Sequence, residues 1–287
     1  MKTGSFSDVR PSPIAGTWYP GDPFDLRQMV EGFLEKATAP DVRGQVTGLI
    51  VPHAGLIYSG LSAAHAFKTL INRSYQRVIL LSPSHNPYEP QLLTTAHEAY
   101  ATPLGEVPVD HGSLVSLAGE LDEQGVSFRA LRADREHSLE IELPFLQVTQ
   151  PGGFTLVPLM LRDQTRHVAR MLSESLCVLL KSYPVEEKTL LVASSDLSHF
   201  YTESEAGRLD HRVIDALETM DVNRLYELNQ TGKGQACGLG AIATVLLTLQ
   251  KISPQSLTIA DYRTSAAVTQ DRSSVVGYTS AVITSEP

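Results

Sequence analysis

Apolar residues along this chain follow two patterns. Short, nearly continuous apolar runs occupy Val46–Pro52, Arg77–Ser82 (RVILLS), Phe154–Leu159 and Leu190–Ala193. Such runs, bounded by polar or turn residues, suit strands buried on both faces of a parallel sheet. Between them, apolar residues recur at helical spacing over Phe24–Ala37, Leu61–Leu70, Val109–Leu121, Thr165–Tyr183, Glu203–Met220, Asn223–Gln230 and Ala241–Leu249. Asp22-Pro23 supplies a start signal for the first helix. Glu136–Gln147 reads as a further helix, bent or ended by Pro144. Gln91–Pro108 reads as an irregular strand pair. Leu257–Arg263 and Val275–Ile283 read as closing strands of β-branched and aromatic character.

Strand, helix, strand across Val46–Ser82 is a βαβ unit, whose crossover is almost always right-handed. No internal repeat, low-complexity block or interdomain linker breaks the 287 residues. The expectation is one α/β domain over 1–287, with a central mixed, largely parallel sheet flanked by helices. Residues 1–22 form an irregular lead-in that carries the only Trp, Trp18.

Charge narrows the partners. The formal net charge is -9 and no Lys/Arg-rich block occurs, so neither nucleic acid nor an anionic membrane surface is expected as a partner. No apolar run is long enough to span a bilayer, and the N-terminus lacks the apolar segment of a signal peptide. Two cysteines, Cys177 and Cys237, cannot build a disulfide framework. They read as reduced thiols in a cytoplasmic protein.

The candidate chemistry sits where the apolar runs stop. Val46–Pro52 ends in His53-Ala54-Gly55, Arg77–Ser82 in Pro83-Ser84-His85, and Leu190–Ala193 in Ser194-Ser195-Asp196-Leu197-Ser198-His199. In a parallel sheet these turns share the carboxyl edge, where open α/β sheets bind ligands. Two or three imidazoles with a carboxylate or thiolate suit iron, zinc or copper. Cys237, in a Gly-rich loop opening an apolar helix, is the thiolate candidate, with its pKa expected to be lowered there. Each residue also has a plainer role: a turn-capping His, Asp196 as a cap, Cys237 as a small buried hydrophobe. The serines near His199 lack Gly-x-Ser-x-Gly, and neither a phosphate loop nor Gly-x-Gly-x-x-Gly is present. His65, His97, His111, His167 and His211 read as solvated or structural.

Several segments together are recognisable: Ala15-Gly16-Thr17-Trp18-Tyr19-Pro20, Val51-Pro52-His53-Ala54-Gly55 with Tyr58-Ser59-Gly60, Ser82-Pro83-Ser84-His85, Glu136-His137-Ser138-Leu139-Glu140, Pro144-Phe145-Leu146, Ser194 to His199, and Ala236-Cys237-Gly238. Their order resembles that of the Memo family, in prokaryotes also called AmmeMemoRadiSam system protein B. The resemblance implies a fold similar to the class III extradiol dioxygenases. It implies a metal site at His53, His85 and Cys237, with Asp196 and His199 as further cleft residues; beside a bound metal these two are expected to orient a ligand and act as acid/base. Trp18, Tyr58, His137 and Glu140 are further cleft candidates. Cys237 departs from the two-His-one-carboxylate iron triad of those dioxygenases. The family name implies radical-SAM and AMMECR-type partner proteins.

Three readings follow. The first is a metal-dependent, dioxygenase-like oxidoreductase holding Fe(II), or copper or zinc, with a small-molecule or peptide ligand in the cleft. The second is a non-catalytic scaffold binding a peptide or small molecule in that cleft. The third is a zinc hydrolase that uses a metal-activated water.

Overall fold

The structure, a computed structural model, describes residues 8–184 and 186–285. Strand β1 (Val9–Arg10) precedes α1 (Pro23–Lys36), β2 (Gln45–Val51), α2 (Leu56–Phe67) and β3 (Arg77–Pro83). Three short strands follow, β4 (Leu92–Thr95), β5 (Ala99–Thr102) and β6 (Gly105–Pro108), then α3 (His111–Glu123) and β7 (Phe128–Leu131). The middle of the chain gives α4 (Leu143–Thr149), β8 (Thr155–Leu161), α5 (Arg166–Ser182), β9 (Thr189–Ser194) and β10 (His199–Tyr201). It closes with α6 (Glu203–Glu218), α7 (Val222–Gln230), α8 (Leu239–Ile252), β11 (Gln255–Thr264) and β12 (Val275–Ser285).

The four continuous apolar runs become β2, β9, β3 and β8, adjacent in that order and mutually parallel. Their side chains are buried on both faces, as the unbroken apolar pattern requires. Each fully buried Leu or Ile there contributes about 1.5–3 kcal/mol. Antiparallel partners flank this centre: β12 on β2, with β10 and β11 on β12, and β4 on β8. Helix α2 lies against β2, β11 and β12, and α8 lies against β2, β3 and β9. The result is a single α/β unit, a mixed sheet flanked by helices around one main core, with a small separate cluster of Ala206, Ala266 and Val275.

Local expectations hold where the signal is local. Asp22 accepts bonds from the Phe24 and Asp25 N–H groups at the start of α1, with Pro23 in the first turn. Helix α2, however, starts at Leu56 rather than Leu61, because Ile57 and Tyr58 face solvent and blur the periodicity. The expected helix over Glu136–Gln147 is corrected. Residues 136–139 are irregular, 140–142 make a tight turn, and Pro144 sits at the start of α4 rather than ending it. Proline's missing N–H and fixed φ suit a first turn. Gln91–Pro108 divides between two sheets, because β5 pairs with β1 and β6 while β4 joins the main sheet. Part of the expected irregular lead-in, residues 1–7, lies outside the described residues; within the remainder, Val9–Arg10 is a strand.

That lead-in is bolted down by Arg10, which is 1% exposed. Its guanidinium donates to Asp134 at 2.7 Å, to the Glu136 carbonyl at 2.9 Å and to Glu140, and sits over the Tyr100 ring. A buried cation needs this degree of pairing. The pairing fixes residues 134–140 beside the ends of β3 and β9. Among the described residues, no helix is long and apolar enough to cross a membrane.

Candidate metal centre

The parallel register sets the site. Val51 of β2 lies level with Ser194 of β9, and Leu81 of β3 with Ala193. The turns after β2, β9 and β3 therefore leave one edge side by side, as the strand-end rule anticipates. His53 is buried, with 2% exposure. The His85 side chain is 40% exposed and opens the group to solvent.

Cys237 arrives from the loop before α8. Its N–H donates to the Asp196 carbonyl at 3.1 Å, and the Asp196 N–H donates to Sγ at 3.1 Å. Gly238 permits the approach, because a Cβ there would sit 2.3 Å from the Ser194 carbonyl oxygen. Gln164 holds the other side, donating to the Cys237 carbonyl at 2.6 Å and accepting from the Gly240 N–H at 2.9 Å.

His53, His85 and Cys237 thereby present one ligand atom each, all within 4.8 Å of one another. His53 Nε2 and Cys237 Sγ are 3.1 Å apart. Bond lengths of about 2.0 Å to nitrogen and 2.3 Å to sulfur at a tetrahedral angle place such a pair about 3.5 Å apart. A cation therefore requires the two side chains to part by about half an ångström. Both Nδ1 atoms are already engaged. His53 Nδ1 meets Ser194 Oγ at 2.8 Å, and His85 Nδ1 donates to Glu136 Oε1 at 2.9 Å. Each Nε2 is left for the shared point, the arrangement metal-binding imidazoles use. The donor set fits a cation that accepts nitrogen and sulfur.

A second group, His85, Glu136 and His137, is also close enough to hold an ion. Glu136, however, already accepts from the His85 N–H at 2.6 Å, the His85 ring, the His137 N–H at 3.0 Å and the Ser138 N–H at 3.1 Å. Its lone pairs are taken, so it acts as an orienter of His85. Burial raises the pKa of Glu136, but the bonds from His85 outweigh it and hold the carboxyl at about 2.

Three of the four imidazoles, His53, His137 and His199, are held toward the neutral form that ligation requires. Burial pushes His53 well below its ordinary value, with His137 and His85 adding to the shift. Burial holds His137 at about 4 and lowers His199. His85 is shifted upward, chiefly by its bond to Glu136. The lowered thiol pKa expected for Cys237 is corrected. Burial pushes it well up, and the Asp196 charge adds to this, outweighing the local N–H bonds. The helix-start setting is overridden by desolvation.

The remaining candidates separate. His137 joins the cluster, its ring 4.8 Å from that of His85 and 5.6 Å from that of His53. The Trp18 ring packs against that of His137, tilted by 32° with centroids 4.1 Å apart. Asp196 shapes the turn: its carboxylate accepts from the His53 backbone N–H at 2.8 Å, and burial lifts it to about 7. It does not orient a ring nitrogen; Ser194 and Glu136 do. His199 Nδ1 is tied to the Leu197 carbonyl at 2.9 Å. Tyr58 stands on a neighbouring groove of about 520 Å³ that shares Trp18 and Tyr19 but not the imidazoles. Glu140 belongs elsewhere, since its oxygens serve Arg10, Ser12 and Tyr19 in the buried network. Among the other histidines, His97 is structural, bonded to Asp8 and the Arg132 carbonyl. No local pattern in the sequence marks the roles of Ser194 and Glu136; their partners are 141 and 51 residues away.

The family profile described as Memo-like protein matches residues 10–282. The chain belongs to the Memo family. A MEMO1 family protein of Nitrosopumilus maritimus is 31% identical over 274 residues, covering 94% of this chain and 98% of its own. One from Thermoplasma volcanium is 32% identical, covering 96% and 98%. A third, from Methanobrevibacter smithii, is 32% identical, covering 96% and 99%. Of the Memo segments read from the sequence, those carrying His53, His85, His137, Asp196 and Cys237 build this edge of the sheet, while Tyr58 lines the neighbouring groove and Glu140 joins the buried Arg10 network.

Proposed function

We propose that this Memo-family chain binds a redox-active, non-haem metal, Fe(II) or copper, on His53 Nε2, His85 Nε2 and Cys237 Sγ, and acts as a dioxygenase-like oxidoreductase. The observation that carries the reading is two imidazoles and one thiol within 4.8 Å, with both Nδ1 atoms already engaged. Such a cation, when bound, supplies electron transfer and Lewis acidity. The chain supplies the rest. Glu136 and Ser194 hold the rings, and half-exposed His85 leaves one side open to a small-molecule or peptide ligand. His137 and His199, both kept neutral at neutral pH, are placed to accept a proton from that ligand. Trp18 packs against the His137 ring. The reading places the protein in the cytoplasm, where its thiol stays reduced.

Anaerobic purification, metal analysis and an absorption spectrum test this. Iron or copper near one equivalent in the wild type, and little in Cys237→Ser, supports it. Equal and negligible metal in both defeats it, while stoichiometric redox-silent zinc with esterase or amidase turnover favours a hydrolase. A scaffold reading draws on two exposed aromatics, Tyr58 at 37% on the neighbouring groove and Phe200 at 78% beside His199. Capture of a radical-SAM or AMMECR-type partner that persists in His53→Ala and after chelation would favour it.

A further inference from the structure

Behind His53, the hydroxyl of Ser194 that holds its ring is shared with a buried carboxyl, Glu142, that the proposed chemistry does not use. Ser194 Oγ has three close partners: the Ser138 carbonyl oxygen at 2.6 Å, Glu142 Oε1 at 2.9 Å and His53 Nδ1 at 2.8 Å. All four residues are buried, and Glu142 is 1% exposed. A hydroxyl carries one proton and accepts through its lone pairs. The carbonyl of Ser138 can only accept, and two oxygens at 2.6 Å without a proton between them repel. The Ser194 proton therefore lies toward Ser138. The other two partners must then donate, because an unmatched buried polar contact is costly.

We propose that Ser194 is a positioning residue for His53, and that Glu142 is a buried, protonated carboxylic acid donating to the same hydroxyl oxygen. Two consequences follow from the proton count. His53 is the Nδ1–H tautomer, so its Nε2 lone pair faces Cys237 Sγ and the shared point. Glu142 brings no negative charge to the back of the site. Its surroundings agree: burial pushes its carboxyl well above the ordinary value of 4.5, and the Asp196 charge reinforces this. The role of Ser194 in metal binding rests on the metal reading above; the proton arrangement does not.

Three measurements on the full chain test this. In metal-free protein with labelled histidine, with the His53 signals identified by their loss in His53→Gln, ¹⁵N NMR should show Nδ1 protonated and Nε2 bare. Infrared spectroscopy at pH 7 should show the carbonyl stretch of a protonated carboxylic acid in the wild type and its loss in Glu142→Gln. Ser194→Ala should let the Nε2–H tautomer appear and weaken anaerobic Fe(II) binding by about 10–100-fold. Glu142→Gln, whose amide also donates, should leave the tautomer unchanged and Fe(II) binding within about threefold. A bare Nδ1 in the wild type, no acid band assignable to Glu142, or an unchanged tautomer in Ser194→Ala overturns the proposal. If the band and tautomer appear but the wild type binds no Fe(II), the proton arrangement stands and the metal reading falls.

Discussion

Cys237 Sγ lies 3.1 Å from His53 Nε2, although 184 residues separate the two in sequence. In the metal-free chain this contact is a thiol-to-imidazole hydrogen bond, since burial keeps Cys237 protonated. On the proposed metal reading, a cation bound there would replace that proton and stabilise the folded chain by mass action, about 2.7 kcal/mol when free metal is 100 times its Kd. Removing metal with a chelator should lower Tm in the wild type. Cys237→Ser should show little chelator-dependent shift, read by calorimetry under anaerobic conditions.

Glu136 accepts from both His85 and the following backbone, and it is 1% exposed. Glu136→Gln retains one acceptor oxygen and turns an NH2 group toward N–H donors. Unsatisfied buried donors cost about 1–3 kcal/mol each, more where a charge is involved. A loss of about 2–4 kcal/mol in urea unfolding is expected, together with weaker metal binding through a misoriented His85.

Glu142 gives a pH signature with a definite sign. Its folded pKa lies above its ordinary value of 4.5, so the native state holds a proton that the unfolded state has released. The stability tied to that proton is complete below about pH 4.5 and declines as pH rises toward the folded pKa. Glu142→Gln does not titrate and still donates to Ser194. Its Tm should match the wild type near pH 4 and exceed it at pH 7–8, by about 2–4 °C for each kcal/mol recovered. A variant less stable than the wild type at pH 8 contradicts this.

Phe200 has φ +67 and is 78% exposed, at the irregularity between His199 and Tyr201 of β10. A left-handed conformation costs a non-glycine residue of order 1–3 kcal/mol. Phe200→Gly should be neutral or stabilising by up to about 1 kcal/mol, since glycine's extra chain entropy offsets part of the relief. Phe200→Val should be destabilised by about 1–2 kcal/mol, because β-branched residues tolerate this region least. Chemical denaturation of the three proteins side by side checks the order.

The sequence by itself determined the centre of the sheet and the edge that bears the site. Runs such as RVILLS and Leu190–Ala193 are apolar on both faces, and only a strand covered on both sides buries such a run. Those strands are parallel neighbours, so the histidines that follow them share an edge. The order of motifs also determined the family. What the tertiary structure decided depends on contacts between residues far apart in the chain. The register of β2 against β9 sets Ser194 beneath His53, and the Arg10 network holds Glu136 against His85 while drawing Glu140 away from the cleft. Burial, a property of the whole packed chain, turned the thiol expected to be acidic into a protonated one. Hydrogen-bond direction and desolvation leave no periodic trace in a sequence, which is why the supporting layer around the imidazoles emerged only from the folded molecule.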